Sequence, residues 1–415
     1  MISVPVNDSP GAGHSTVLEL PGLYGPFTFP EKLLQKIWMR RAFQEVRAAT
    51  TAGQAVTILD QGKWNLLGGP DFKNARVKFG DGPERIGDIE LHLKAEDWSA
   101  HGHARDPAYD RVILHVVLFP PSVDHVTVGA GQAPIPVLAL LPLLPYDLEE
   151  YAAEDAVESL ANRPASQIVE LLGVLSGSEL ESLLLKYAAE RWRQKVRYAG
   201  LRIQRLGWDE ACHQTALDIL GYRFNRTPML RIAGRVPLTD WHKDVQADAI
   251  YAQENGWSLQ GLRPANHPRL RLHQYREWTA RIRGWPEVLK NEAAQLPNIS
   301  ERVGTGDVRR KFCFSKLRSD WTDAITGGTV TGTRFDNLVC DGFFPLLAAA
   351  GVCDPAGLWF HWFTGDVPPL WRQALRQLEV FAGRTRPACH GSAQGLLGWL
   401  IERERLPGVP AGRRA

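Results

Sequence analysis

From residue 31 onward the spacing of apolar positions changes several times, and each change marks an element. EKLLQKIWMRRAFQEV sets Leu34, Ile37, Trp38 and Phe43 on one helical face, and Pro30 opens it where a missing N–H costs nothing. The stretch Thr50–Gly53 ends that helix. AVTILDQGKWN, DFKNARVKF and RIGDIELHLKA then read as three strands, separated by turns at GGP (68–70) and DGPE (81–84). EDWSAHGHARDPAYD is a loop or one short helix. RVILHVVLF is nearly all apolar, as in a strand covered on both faces. VDHVTV and PIPVLALL flank a Gly-Ala-Gly turn and read as a hairpin. The predicted order is helix, three strands, short helical connection, strand, hairpin.

From Tyr146 the period becomes helical. ASQIVELLGVL, SELESLLLKYAAERWRQKVRYAGLRIQRL and WDEACHQTALDILGY each carry an apolar stripe, with a break at NRTP and a restart at RPANHPRLRLHQYREW. The fold class expected is α/β (α+β): a mixed-sheet core followed by mainly α-helical domains. Its parts are a flexible arm at 1–19, the α/β core at 20–145, a helical domain at 146–290 and a helical C-terminal domain at 291–415.

Composition narrows the function classes. Lys plus Arg (48) nearly balance Asp plus Glu (46), so any nucleic-acid surface has to be a local patch. The five cysteines include no CxxC pair, which argues against a disulfide framework or a zinc knuckle and suits a reducing cytoplasm. The N-terminal residues lack the basic-then-apolar pattern of a signal peptide, and no apolar run reaches bilayer length, so no membrane partner is expected. No Walker A loop, GxGxxG after a strand, GxSxG elbow or HExxH is present, which argues against an NTPase, a Rossmann oxidoreductase, an α/β-hydrolase and a zincin.

Candidate chemistry concentrates between Gly68 and Phe119. Alternation along GDIELHLK puts Asp88, Glu90, His92 and Lys94 on one strand face and Ile89, Leu91 and Leu93 on the other. Asp71 begins the preceding strand. Carboxylates on neighbouring strands are hard oxygen ligands for Mg²⁺, replaceable by Mn²⁺. Asp71 and Glu90 are the expected metal ligands, and Asp71, Glu90, His92 and Lys94 the expected catalytic set. Taken singly, Asp71 also reads as a turn cap, and Glu90 as a salt-bridge partner of Lys78 or Lys94. Pro70-Asp71 followed by Glu90-Leu91-His92 resembles the PD-(D/E)xK nuclease superfamily, with His92 at the Lys position and Lys94 two residues on. The resemblance implies a restriction-endonuclease-like core and metal-dependent phosphodiester hydrolysis, or a degenerate core that binds nucleic acid or assembles without turnover. GGPDFKNARV, GDIELHLKAEDWSAHGHARDPAYDRVILHVV, RPANHPRLRL and SAQGLLGWL together also resemble an uncharacterised bacterial family known only as a domain of unknown function.

A second polar set follows. His101 and His103 form an HxH pair which, with His92 or Asp106, could hold zinc in a hydrolase; zinc ranks behind Mg²⁺ on this sequence. Capping of a short helix is the plainer role for the pair. His115, inside an apolar strand, reads as a hydrogen-bonded core histidine. His101, His103, Asp106 and Tyr109 are expected to face substrate, with Arg191, Lys195 and Arg202 as a basic helical stripe that either tracks nucleic-acid phosphates or is a solvated face. Arg263, Arg269, Arg271 and Arg281, and then Arg309, Arg310, Lys311 and Lys316, are weaker basic clusters.

Overall fold

The computed structural model describes residues 30–405, apart from 123–124, 130–131, 146–147, 244 and 261. The expected arm at 1–19 lies outside the described residues. The first helix, α1 (Glu31–Met39), follows Pro30 and buries Leu33, Leu34, Ile37 and Trp38. It stops short of the expected Val46, and Phe43 joins the core from the turn that follows.

Among the described residues eight strands follow: β1 (Val56–Asp60), β2 (Lys63–Trp64), β3 (Phe72–Phe79), β4 (Arg85–His92), β5 (Val112–Val117), β6 (Thr127–Val128), β7 (Pro134–Ile135) and β8 (Val137–Ala139). The main sheet runs β1-β3-β4-β5-β8, with β2 paired to β3. β1, β3 and β4 are antiparallel neighbours, whereas β4–β5 and β5–β8 are parallel. The sheet is therefore mixed, and the elements up to β5 come in the predicted order, except that AVTILDQGKWN, expected as one strand, forms two, β1 and β2. A parallel step needs a crossover; it contains α2 (Asp97–Ala100) and two 3-10 turns, His103–Arg105 and Pro107–Tyr109.

The hairpin expectation needs correction. β6 pairs with β7 for only two residues each, and PIPVLALL then leaves it. Val137–Ala139 joins the main sheet parallel to β5. Pro134 and Pro136 lack the N–H that a longer hairpin ladder requires, while Leu138 is fully buried beside β5.

After the sheet the chain is helical among the described residues. The longest helix, Gly177–Leu206, is opened by a capping box between Ser176 and Glu179. It packs along the helix His390–Arg405. A Cβ at Gly395 would lie 2.2 Å from the Leu184 carbonyl oxygen, so glycine sets how closely these two helices meet. Two apolar cores run through the described residues. The first joins the sheet and α1 to residues between 148 and 187 and between 371 and 401. The second fills the helices from 188 to 362 and is rich in tryptophan. No helix among the described residues is long and apolar enough to cross a membrane.

Candidate metal centre

The backbone of β4 presents Glu90 and His92, and both side chains are buried. The strand ends at His92. Lys94 therefore lies in a bend rather than on the pleat, and its backbone N–H donates to Asp97 Oδ2 (3.0 Å). The expectation that Lys94 shares the strand face is corrected: among the described residues no hydrogen bond or ion pair joins it to Asp71 or Glu90. Asp88 turns to the neighbouring strand and accepts from the Asn74 N–H (3.0 Å).

Two further imidazoles arrive from the crossover. His101 follows α2, and His103 opens the next turn. Gly102 between them has φ +73°, a left-handed conformation that a Cβ disfavours, and it lets both rings point the same way. His92 Nε2 lies 3.1 Å from His101 Nδ1 and 3.3 Å from His103 Nε2. Glu90 Oε1 lies 3.6 Å from His92 Nε2 and 3.4 Å from His103 Nε2. His92, His101 and His103 each offer one ligand atom, all within 4.8 Å of one another. One imidazole nitrogen holds either one proton or one lone pair, so hydrogen bonding cannot explain so many close neighbours around Nε2. Ligand nitrogens about 2.0–2.1 Å from a tetrahedral ion stand about 3.3–3.4 Å apart, close to the 3.1 and 3.3 Å that separate His92 Nε2 from the other two rings.

Behind His92 runs a chain of polar contacts. Its Nδ1 meets His115 Nε2 (2.9 Å), and His115 Nδ1 meets Thr127 Oγ1 (2.9 Å), which also meets His125 Nε2 (3.2 Å). With His92 Nδ1 as donor to His115, and His115 as donor to Thr127, His92 Nε2 is a bare lone pair aimed at the cluster. This is the outer support that orients metal-binding histidines. Burial, together with the neighbouring imidazoles, lowers His92 to about 2 and His115 to about 3, so both are neutral. Burial lowers His103 as well. Trp98 packs edge-on to His103 and donates its indole N–H to the Val128 carbonyl (2.9 Å), which ties the crossover to β6. Tyr109 stacks on His103 with ring centroids 3.8 Å apart, and burial pushes its hydroxyl up to about 12. His101 is exposed and forms the open side.

The carboxylates are built equally firmly. The Asp71 N–H donates to Glu90 Oε2 (2.9 Å), and the Leu91 N–H donates to Asp71 Oδ2 (3.0 Å). Gln35 Nε2 of α1 donates to Asp71 Oδ1 (2.6 Å). Asp71 thus holds Glu90 in place with both oxygens already engaged. Burial raises Asp71 and Glu90 well above the usual carboxylate range. Burial, with Asp71 and Glu90 nearby, brings Glu31 to about 7. A cation at the ring nitrogens would favour ionised Glu90.

The other expected residues are not part of the cluster, although the charge of Asp106 reaches His103 and Tyr109. Asp106 caps the 3-10 turn, accepting from the Ala108 N–H (2.9 Å), and is exposed. Arg191 and Arg202 are buried among helices, and Lys195 pairs with Asp341 (2.6 Å). They form neither an exposed stripe nor a solvated face, because this side of the helix is covered by its neighbours. Arg269 pairs with Asp248 (2.8 Å) and Lys316 with Asp320 (2.6 Å), and Arg281 and Arg310 pair with Glu277 and Asp307. Sequence reading missed Glu31, Gln35 and Thr127. The first two lie four apart on one side of α1, but Lys32 and Lys36 are spaced the same way, so the sequence did not single them out. Thr127 has no local signature.

A family described as Protein of unknown function (DUF2851) matches residues 31–252, more than half of the chain and all of the residues from Glu31 to Thr127 that build the centre. No curated protein and no solved structure matches the chain.

Proposed function

The chain belongs to that family of proteins of unknown function, and we propose that it is a metal-dependent hydrolase with phosphodiesters as its substrate class. His92, His101 and His103 would hold a transition-metal ion of the zinc type, for which imidazole is a preferred ligand. The carrying observation is the convergence of three ring nitrogens, at spacings fit for one ion, backed by the His92–His115–Thr127 chain. Such an ion would supply Lewis acidity and a low-pKa bound water. Glu90 Oε1 lies 3.4 Å from His103 Nε2, held through its other oxygen by the Asp71 N–H, and would serve as the proton acceptor beside the ion. The exposed edge at His101 is where substrate would reach the centre. The phosphodiester class rests on the likeness of Pro70-Asp71 and Glu90-Leu91-His92 to the nuclease motif, carried by the same order of elements.

A second reading keeps the hydrolysis and places Mg²⁺ on the carboxylates. It is favoured by the closeness of Glu31 to Asp71 and Glu90. The histidine reading ranks first because hydrogen bonds engage both Asp71 oxygens. Cleavage of bis-p-nitrophenyl phosphate and of labelled DNA and RNA tests both. The expected outcome is turnover with Zn²⁺ or Mn²⁺ that His101→Ala lowers by at least 100-fold. Turnover with Mg²⁺ that is indifferent to His101→Ala supports the second reading; no turnover with any metal contradicts both.

A further inference from the structure

A cavity of about 330 Å³ lies far along the chain from the metal centre, between the helices Gly177–Leu206 and His390–Arg405 and the segment 334–368. That volume is at the lower end of the range for small-molecule sites, roughly 300–1,000 Å³. Arg191, Lys195 and Arg202 all line it. Spacings of four and seven residues put them on one side of their helix.

The wall is unusual in what it leaves unmatched. Arg191 is buried, and it donates only to the side-chain oxygens of Gln394 (3.3 Å) and Gln194 (2.6 Å). Among the described residues no carboxylate lies within ion-pair distance of it; the charge of Asp341 reaches it, but that carboxylate is bonded to Lys195. A buried guanidinium without a carboxylate is costly. His390, 3% exposed, also lines the cavity, and neither of its ring nitrogens has a hydrogen-bond partner. The Thr364 backbone comes near without hydrogen-bond geometry. Arg334 Nε, on the same wall, is buried without a partner too. Lys195 adds an ammonium, already shared with Asp341. The wall also carries acids, each already paired with a cation: Asp341 with Lys195, Asp218 with Arg226, Asp366 with Arg334, Glu158 with Arg40 and Glu150 with Arg202. Its apolar and aromatic part is Trp371, Leu346, Leu397 and Val367, with Tyr222 under the Arg334 guanidinium at 4.7 Å.

We propose that this cavity is a binding site for a small phosphomonoester, its phosphate against Arg191, Lys195 and His390 and its apolar or aromatic body against Trp371 and the leucines. A phosphate supplies the charge that Arg191 lacks and has oxygens enough to meet a fork, an ammonium and an imidazole together. The site is independent of the metal centre and of the hydrolase reading.

Calorimetry on the full chain with phenyl phosphate, inorganic phosphate and benzoate tests it. Phenyl phosphate binds one per chain, at least tenfold more tightly than either of the others, and raises Tm by about 2–4 °C. Arg191→Met abolishes the binding without lowering the Tm of the free protein, since it removes a buried unpaired charge; a merely structural arginine would lower it. Ala199→Met, which fills the cavity and removes no polar contact, also abolishes binding. Absence of phenyl phosphate binding overturns the proposal. So does binding unchanged by both variants, or benzoate or inorganic phosphate binding as tightly as phenyl phosphate.

Discussion

Each ring nitrogen of His92 has its own partners. Nδ1 meets His115, and Nε2 faces His101, His103 and Glu90. The side chains around it should therefore differ in what they control. His101 is exposed, so His101→Ala leaves folding nearly unchanged, within about 0.5 kcal/mol for the metal-free protein, and removes stoichiometric metal. Urea melts read the first effect and a chelator titration the second. Thr127→Val keeps the volume and deletes the hydroxyl that meets His115. Metal affinity then falls by about 10-fold, the lower end for outer supports of a ligating histidine. His92, His101, His103 and Glu90 were all visible in the sequence as chemistry-bearing residues on or beside one strand. What was not visible is that they meet. Glu90 and His92 share a pleat by alternation, but the arrival of His101 and His103 depends on a crossover whose path no local pattern encodes. His115 was legible as a buried, hydrogen-bonded histidine because its neighbours along β5 are apolar.

At the scale of elements, a left-handed residue and the end of a strand shape the centre. β4 stops at His92, so Lys94 leaves the face that period-2 alternation gave it. Gly102→Ala forces a Cβ into φ +73°, at a cost of roughly 1–2 kcal/mol. Nothing lies within 4 Å of that Cβ, so the cost is backbone strain alone. Relief by local rotation would part His101 from His103, and the variant is expected to bind metal more weakly while Tm falls by only a few degrees. Among the helices, His213 is buried between the Tyr275 hydroxyl (2.7 Å) and the Val236 carbonyl (3.0 Å), and burial lowers it from 6.5 to about 4. The unfolded chain binds a proton there below pH 6.5 and the folded chain does not. Stability is therefore lost as pH falls from about 6.5 to about 4, by about 3 kcal/mol at most. His213→Gln cannot titrate, so its stability deficit relative to wild type shrinks by that amount between pH 7 and pH 4 in urea melts. The helix start at Pro30 was legible from proline chemistry, whereas the cap at Ser176 was not singled out. The departure of Val137–Ala139 from the hairpin was not, because strand pattern gives no partner.

Over the whole molecule, function and packing are intertwined through two cores. The sheet that holds the centre shares its core with the helices between 371 and 401, so the C-terminal residues are part of the platform beneath it. The near-neutral charge balance matches the pairing of Arg269, Arg281, Arg310 and Lys316 with acids, and the stripe of Arg191, Lys195 and Arg202 faces inward. Helical periodicity located the stripe correctly, yet burial of its arginines depends on helices far away in sequence. A metal held by His92, His101 and His103 would link β4 to the crossover, so removal of metal should lower Tm, and re-addition restore it, by linkage of binding to folding. The most direct measurement is the metal content and affinity of the purified chain beside His101→Ala, by mass spectrometry of bound metal and competition with a zinc chelator. One transition-metal ion per wild-type chain, lost or weakened at least 100-fold in the variant, is the predicted result; no tight site in the wild type, or equal binding in both proteins, contradicts it.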